Sequence, residues 1–136
     1  MVLADTGLVF GLLDRADAWH ERARRAWEQH GNQAVVPAPV LVEVCYLLNY
    51  RVGPHAEQRF VAAVASGVLP VEELAPGDYA RAASLMAAYS DTPLGFVDAS
   101  IVAMAERMGV TRILTTDRKH FSLVRPSHIP AFELVP

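Results

Sequence analysis

Three carboxylates stand where apolar residues would be cheaper, and a fourth follows an apolar strand. Asp5 closes the run Met-Val-Leu-Ala, Glu43 lies inside Pro-Val-Leu-Val-Glu-Val-Cys-Tyr-Leu-Leu, and Asp98 lies inside Gly-Phe-Val-Asp-Ala-Ser-Ile-Val-Ala-Met. Asp117 directly follows Arg-Ile-Leu-Thr-Thr. An ionised carboxylate withdrawn from water costs several kcal/mol unless something compensates it, and the neighbouring residues offer few cations. Gathered in one pocket, the four would repel one another, and a shared divalent cation resolves the conflict. Oxygen donors without thiolates or paired imidazoles favour a hard ion, Mg²⁺ or Mn²⁺, over zinc. The chain's formal charge of −3, less these four negative charges, leaves +1, so the remaining surface need not repel a polyanion.

The surrounding pattern says how such residues could meet. Residues 2–4 read as a buried strand stopping at the polar turn Asp5-Thr6-Gly7. Trp19, Ala23, Ala26 and Trp27 recur at helical spacing over roughly residues 18–30, before Gly31. Residues 34–36 read as a second strand. Pro39 opens a helix with an apolar face of Val40, Leu41, Val44, Leu47 and Leu48 that Gly53 and Pro54 end. Another helix passes through Phe60, Val61 and Val64 to Gly67. Residues 68–71 read as a strand that Pro70 pushes to a sheet edge. Asp78 is expected to cap a helix carrying Tyr79, Ala83, Met86 and Tyr89. A break over residues 91–95 precedes one more helix ending near Gly109. Residues 110–115 form a strand, and residues 131–135 a fainter fifth.

Strands alternating with one or two helices require long crossovers and hence a mostly parallel sheet. The expected fold is a three-layer α/β/α domain with four to five strands, one unit over residues 1–136. Ligands in such sheets collect beyond the carboxyl ends of the strands, where Asp5 and Asp117 fall. On its helix Glu43 shares a side with Val40 and Leu47, and Asp98 shares one with Ile101, Val102 and Ala105, so both acids are expected on packed faces.

Composition limits the alternatives. A chain of 136 residues, 52% hydrophobic and 20% charged, suits one well-buried core. Its mild negative charge excludes a polycation that binds nucleic acid by bulk charge. A single cysteine, Cys45, excludes an intrachain disulfide framework. The amino terminus meets Asp5 too soon and lacks a basic region, and the longest greasy stretch carries Pro37, Pro39, Glu43 and Asn49. A cytoplasmic protein without a membrane span is expected.

Asp5-Thr6-Gly7, the mid-helix Glu43, Phe96-Val97-Asp98-Ala99 and Thr115-Thr116-Asp117-Arg118-Lys119-His120-Phe121 together resemble the PIN-domain nucleases, across essentially the whole chain, and most of all the compact bacterial VapC toxins. The resemblance implies a PIN-like fold and a Mg²⁺- or Mn²⁺-dependent endoribonuclease. Asp5, Glu43, Asp98 and Asp117 match the family's acidic quartet one by one. It further implies the toxin of a type II toxin–antitoxin system, a homodimer restrained by a small cognate antitoxin, with structured RNA such as tRNA or rRNA as substrate.

Around the acids, Thr6 and Thr116 are candidates to hold ligand or water, although a strand-end threonine equally often satisfies backbone. Arg118, Lys119 and His120 are candidates to grip RNA phosphates, against the simpler reading of a solvated turn. Arg22, Arg24 and Arg25, alternating with Glu21 and Glu28, suit an exposed helix face. Cys45 suits inert packing, and His20, His30, His55 and His128 have no metal-ligand spacing. Two rivals compete: a phospho-receiver module, with strand-end acids and Lys119, and a catalytically silent PIN-like scaffold. Walker and Rossmann glycine patterns are absent from the sequence, and a haloacid-dehalogenase phosphatase would place Asp where Gly7 stands.

Overall fold

Five parallel strands form one sheet in the order β3-β2-β1-β4-β5 in a computed structural model that describes residues 1–92 and 94–136. Pro93, within the expected break before the last long helix, lies outside the described residues. The strands are β1 (Val2–Ala4), β2 (Ala34–Pro37), β3 (Val71–Glu72), β4 (Arg112–Leu114) and β5 (Glu133–Val135). β1 is central, pairing Leu3 with both Val35 and Ile113. Its three side chains are at most 2% exposed, which explains why it reads as continuously hydrophobic rather than alternating. β3 takes the sheet edge, as Pro70 predicts; that proline has no N–H to give, and its carbonyl accepts from the Val36 amide at 2.9 Å.

Paired helices make the long crossovers: α1 (Thr6–Leu13) and α2 (His20–His30), then α3 (Ala38–Arg51) and α4 (Pro54–Ala65), then α5 (Pro76–Ala88) and α6 (Phe96–Met108). A short α7 (Arg118–Leu123) joins β4 to β5. The result is the expected three-layer α/β/α arrangement. The chain winds outward from β1 to β3, then returns to lay β4 against the other side of β1. That reversal between β1 and β4 is the switch point at which a parallel sheet opens a ligand crevice. The order also differs from the 2-1-3-4-5 order of receiver domains, which counts against that rival.

Two helices depart from the sequence reading. Asp5-Thr6-Gly7 is not a polar turn: Asp5 caps α1, its Oδ1 accepting from the Thr6 amide at 2.7 Å. α1 escapes periodicity because it is apolar nearly all round, with Leu8, Val9 and Phe10 buried, and a short unbroken apolar run has no helical stripe to find. Likewise Arg118, Lys119 and His120 are not a solvated turn but the first residues of α7. Asp78 does serve the start of α5, but from inside the first turn, where its Oδ2 accepts from the Ala75 amide at 2.8 Å.

α6 carries Asp98, and its placement is tightly determined. Residues 99 to 105 are all buried, and Gly109 ends the helix at φ 70°, a left-handed conformation that glycine adopts without a Cβ penalty. Two ion pairs lock α6 to α5. Arg107 reaches Asp78, itself 3% exposed, at 3.0 Å, and Arg81 reaches Glu106 at 2.6 Å. The Arg81 hydrogen bond holds the Glu106 carboxyl below the usual range.

Candidate metal centre

Asp5 leaves the end of β1 already fastened to its neighbour, since its amide donates to the Leu114 carbonyl oxygen on β4 at 2.8 Å. Its Oδ2 accepts from Thr115 Oγ1 at 2.9 Å, and the same hydroxyl oxygen accepts from the Asp117 amide at 2.9 Å. One fully buried threonine therefore positions the acids of two adjacent strands. The sequence reading chose Thr6 and Thr116 and missed Thr115. No pattern in the sequence marks it, because Thr115 lies just past β4 and a threonine there ordinarily satisfies backbone.

Thr6 and Thr116 do different work. Thr6 Oγ1 donates to Glu43 Oε1 at 2.7 Å, tying α3 to the start of α1. Thr116 makes no side-chain hydrogen bond among the described residues, and its hydroxyl stands against Gly7. A Cβ on Gly7 would lie 2.1 Å from Thr116 Oγ1, so an alanine there would collide with that hydroxyl. Glu43 itself departs from expectation. It is exposed, not seated on the packed face with the buried Val40, because α3 presents that part of its surface outward.

Asp98, Asp117 and His120 converge, each offering one donor atom within 4.8 Å of the others. Asp117 caps α7, Oδ1 accepting from the His120 amide at 3.2 Å. His120 Nδ1 lies 2.7 Å from Asp117 Oδ2 and 3.6 Å from Asp98 Oδ2. His120 thus sits between two carboxylates instead of facing outward. Arg118 turns away to the tail, donating to the carbonyls of Leu134 at 3.2 Å and Pro136 at 2.6 Å. Lys119 is exposed and has no ion-pair partner among the described residues.

The electrostatics show a site short of positive charge. Burial pushes the Asp5 carboxyl up to about 6, against the lowering effect of its Thr115 and Thr6 hydrogen bonds, and the charges of Asp117 and Glu43 raise it further. Burial likewise pushes Asp98 up to about 7, with Asp5, Asp117 and Glu43 adding repulsion and His120 partly offsetting it. No lysine or arginine forms an ion pair with any of the four acids among the described residues. Asp78, buried, and Glu106, with a largely buried side chain, each have an arginine. Clustered carboxylates plus one imidazole, with no lysine or arginine paired to them among the described residues, fit a divalent ion.

A sequence profile of the PIN domain matches residues 2–125. This chain belongs to the PIN domain family. It is a VapC-type nuclease domain: it is 30% identical over 135 residues to Ribonuclease VapC26 of Mycobacterium tuberculosis, covering 99% of this chain and all of that one. Among solved structures, this PIN domain is similar to M. tuberculosis VapC20, described as a sarcin–ricin loop cleaving toxin. The TM-score is 0.81 at 26% identity, over 88% of this chain and 92% of VapC20. It shares its fold with a toxin–antitoxin complex from Klebsiella pneumoniae, with a TM-score of 0.71 at 22% identity over 97% of this chain and 99% of that one.

The remaining polar candidates of this PIN domain are structural. Arg24 pairs with Glu21 and Glu28 on the exposed face of α2. His20 meets the Gly11 carbonyl at 2.8 Å and His128 the Val110 carbonyl at 2.7 Å. Burial and the Glu57 charge push the Cys45 thiol up, the opposite of what a nucleophile needs. No helix among the described residues is long and apolar enough to cross a membrane.

Proposed function

We propose that this PIN domain is a Mg²⁺- or Mn²⁺-dependent endoribonuclease, the toxin of a type II toxin–antitoxin pair, acting in the cytoplasm on structured RNA. One observation supports the reading most: Asp98 and Asp117 converge at the sheet's switch point, with Asp5 and Glu43 near enough to add repulsion, and no lysine or arginine pairs with any of them among the described residues. Asp98 and Asp117 hold the cation, and Asp5, kept in place by Thr115, completes the negative surface that attracts it. When bound, a divalent ion supplies charge stabilisation at the scissile phosphate and a more acidic water. Glu43, whose Oε1 is engaged by Thr6, orients the attacking water with its free Oε2 and accepts its proton. Attack on phosphorus breaks the bond to the 3′ oxygen, leaving a 5′-phosphate and a 3′-hydroxyl. Lys119, exposed beside Asp117, is free to contact a phosphate, whereas Arg118 is committed to the tail.

A cognate antitoxin and a second copy of the chain are the expected protein partners. Support comes from the VapC kinship and from an apolar ridge on α3, where Val42, Tyr46 and Tyr50 are 66 to 77% exposed. Total RNA incubated with Mg²⁺ or Mn²⁺, with and without EDTA, tests the chemistry by end mapping. Cleavage abolished by EDTA and by Asp98→Asn, with 5′-phosphate ends, is expected. Ends carrying 2′,3′-cyclic phosphate, or cleavage indifferent to EDTA, would overturn the metal-hydrolysis reading; intact RNA with wild-type protein and metal favours the silent scaffold.

A further inference from the structure

Beside the carboxylates lies a cleft of about 420 Å³ whose walls include Glu43, Glu73, Leu74, Tyr79, Phe96 and Val97. Glu43 belongs to both places, lining the cleft and accepting from Thr6 next to Asp5. Phe96 opens α6 two residues before Asp98. Phe96 and Tyr79 are 42% and 56% exposed, with ring centroids 6.2 Å apart and planes 17° apart. They present nearly parallel aromatic faces at the end of α6 that carries Asp98. Unpaired nucleic-acid bases stack on such faces.

The cleft's polar groups narrow the ligand. Two carboxylates in its wall repel phosphate and accept hydrogen bonds, so among the parts of a nucleotide the group that enters is a base that presents N–H donors. Glu73, exposed just past β3, makes no ion pair among the described residues, and an ionised carboxylate offers two acceptors and no donor. Guanine is the base whose Watson–Crick edge shows two adjacent donors, N1–H and the N2 amino group, matching a carboxylate's pair of oxygens. We propose that this cleft binds an unpaired guanine next to the cleaved phosphodiester, stacked on Phe96 and Tyr79 and read by Glu73. The proposal rests on the nuclease reading for its place in a reaction, but base binding is measurable without it.

Two arms separate the two claims. In EDTA, saturation-transfer NMR of uncharged guanosine, adenosine, cytidine and uridine should give guanosine a Kd at least fivefold below the others. Phe96→Ala should weaken it about tenfold, the usual loss of one stacking face, while Phe96→Trp retains it. Glu73→Ala should bring guanosine to the level of adenosine. With Mn²⁺, hexauridylate carrying one G, A or C tests whether cleavage falls beside G. Cleavage without base preference, or guanosine binding unchanged in Phe96→Ala, overturns the cleft and leaves the nuclease standing. Selective guanosine binding without cleavage of any oligonucleotide does the reverse. If Phe96→Ala releases a protein partner yet leaves nucleoside binding intact, the cleft is a protein-docking site and the proposal fails.

Discussion

At the residue scale, Asp5 and Asp98 are held protonated more readily in the folded chain than in the unfolded one. With folded values of about 6 and about 7, above ordinary carboxylates, the metal-free fold binds more protons than the unfolded chain across roughly pH 4 to 7. Its stability therefore falls as pH rises through that window and levels off above it. Thermal melts in EDTA should show a higher Tm at pH 5 than at pH 8 from these groups. Asp98→Asn should flatten that slope and raise the Tm at pH 8 by several degrees, corresponding to about 1–2 kcal/mol. A slope that is unchanged in Asp98→Asn would place the strain elsewhere.

Thr115 makes a second residue-scale prediction. Its hydroxyl donates to Asp5 and accepts from the Asp117 amide, so Thr115→Val leaves two buried polar groups unsatisfied at nearly constant volume. A loss of about 1–3 kcal/mol is expected from denaturant melts, together with weaker Mn²⁺ binding, because both acids lose their alignment. Stability lost with unchanged metal affinity would make Thr115 structural only. Asp5, Glu43 and Asp98 were legible in the sequence because each interrupts an apolar run, and Asp117 because it follows a strand, whereas Thr115 was not, since a threonine at a strand end is unremarkable until its two partners are in view. His120 was legible as part of a polar trio; its position between Asp98 and Asp117 depends on α7, a short helix that three polar residues after a strand do not announce.

At the element scale, positioning depends on close contacts between segments distant in sequence. Gly7 in α1 faces Thr116 after β4. Gly7→Ala should cost about 1–3 kcal/mol through the Cβ–Oγ1 collision, and Thr116→Ala should restore most of it, a coupling that a double-mutant cycle reads directly. Independent effects of the two substitutions would mean the segments do not press on each other. The Asp78–Arg107 pair offers a contrast. Asp78→Ala strands Arg107 and uncaps the α5 start, and should cost about 3 kcal/mol in denaturant melts, with no rescue by any change at position 116. Strand positions, crossover helices and the edge place of β3 followed from hydrophobic runs punctuated by glycine and proline. α1 did not, because burial on all sides erases the amphipathic stripe, and the exposure of Glu43 could not be read because neighbouring apolar residues on α3 are themselves exposed.

At the scale of the whole molecule, the topology explains why acids so far apart in sequence can act together. Returning past β1 to place β4 beside it brings residue 117 next to residue 5, and the helices entering that crevice supply residues 43 and 98. The same return that builds the sheet leaves the crevice rich in negative charge, so the metal-free fold carries a repulsion that a bound ion removes. Divalent ions should consequently stabilise the protein as a whole, by an amount that grows with concentration as binding to the folded state demands.

Calorimetric titration of Mn²⁺ into wild-type, Asp98→Asn and Asp117→Asn proteins at pH 7.5 puts that arrangement to the most direct test. Saturable binding to the wild type, weakened at least tenfold in each variant while circular dichroism stays unchanged, is the predicted result. Equal affinity in all three proteins, or none in the wild type, would contradict it.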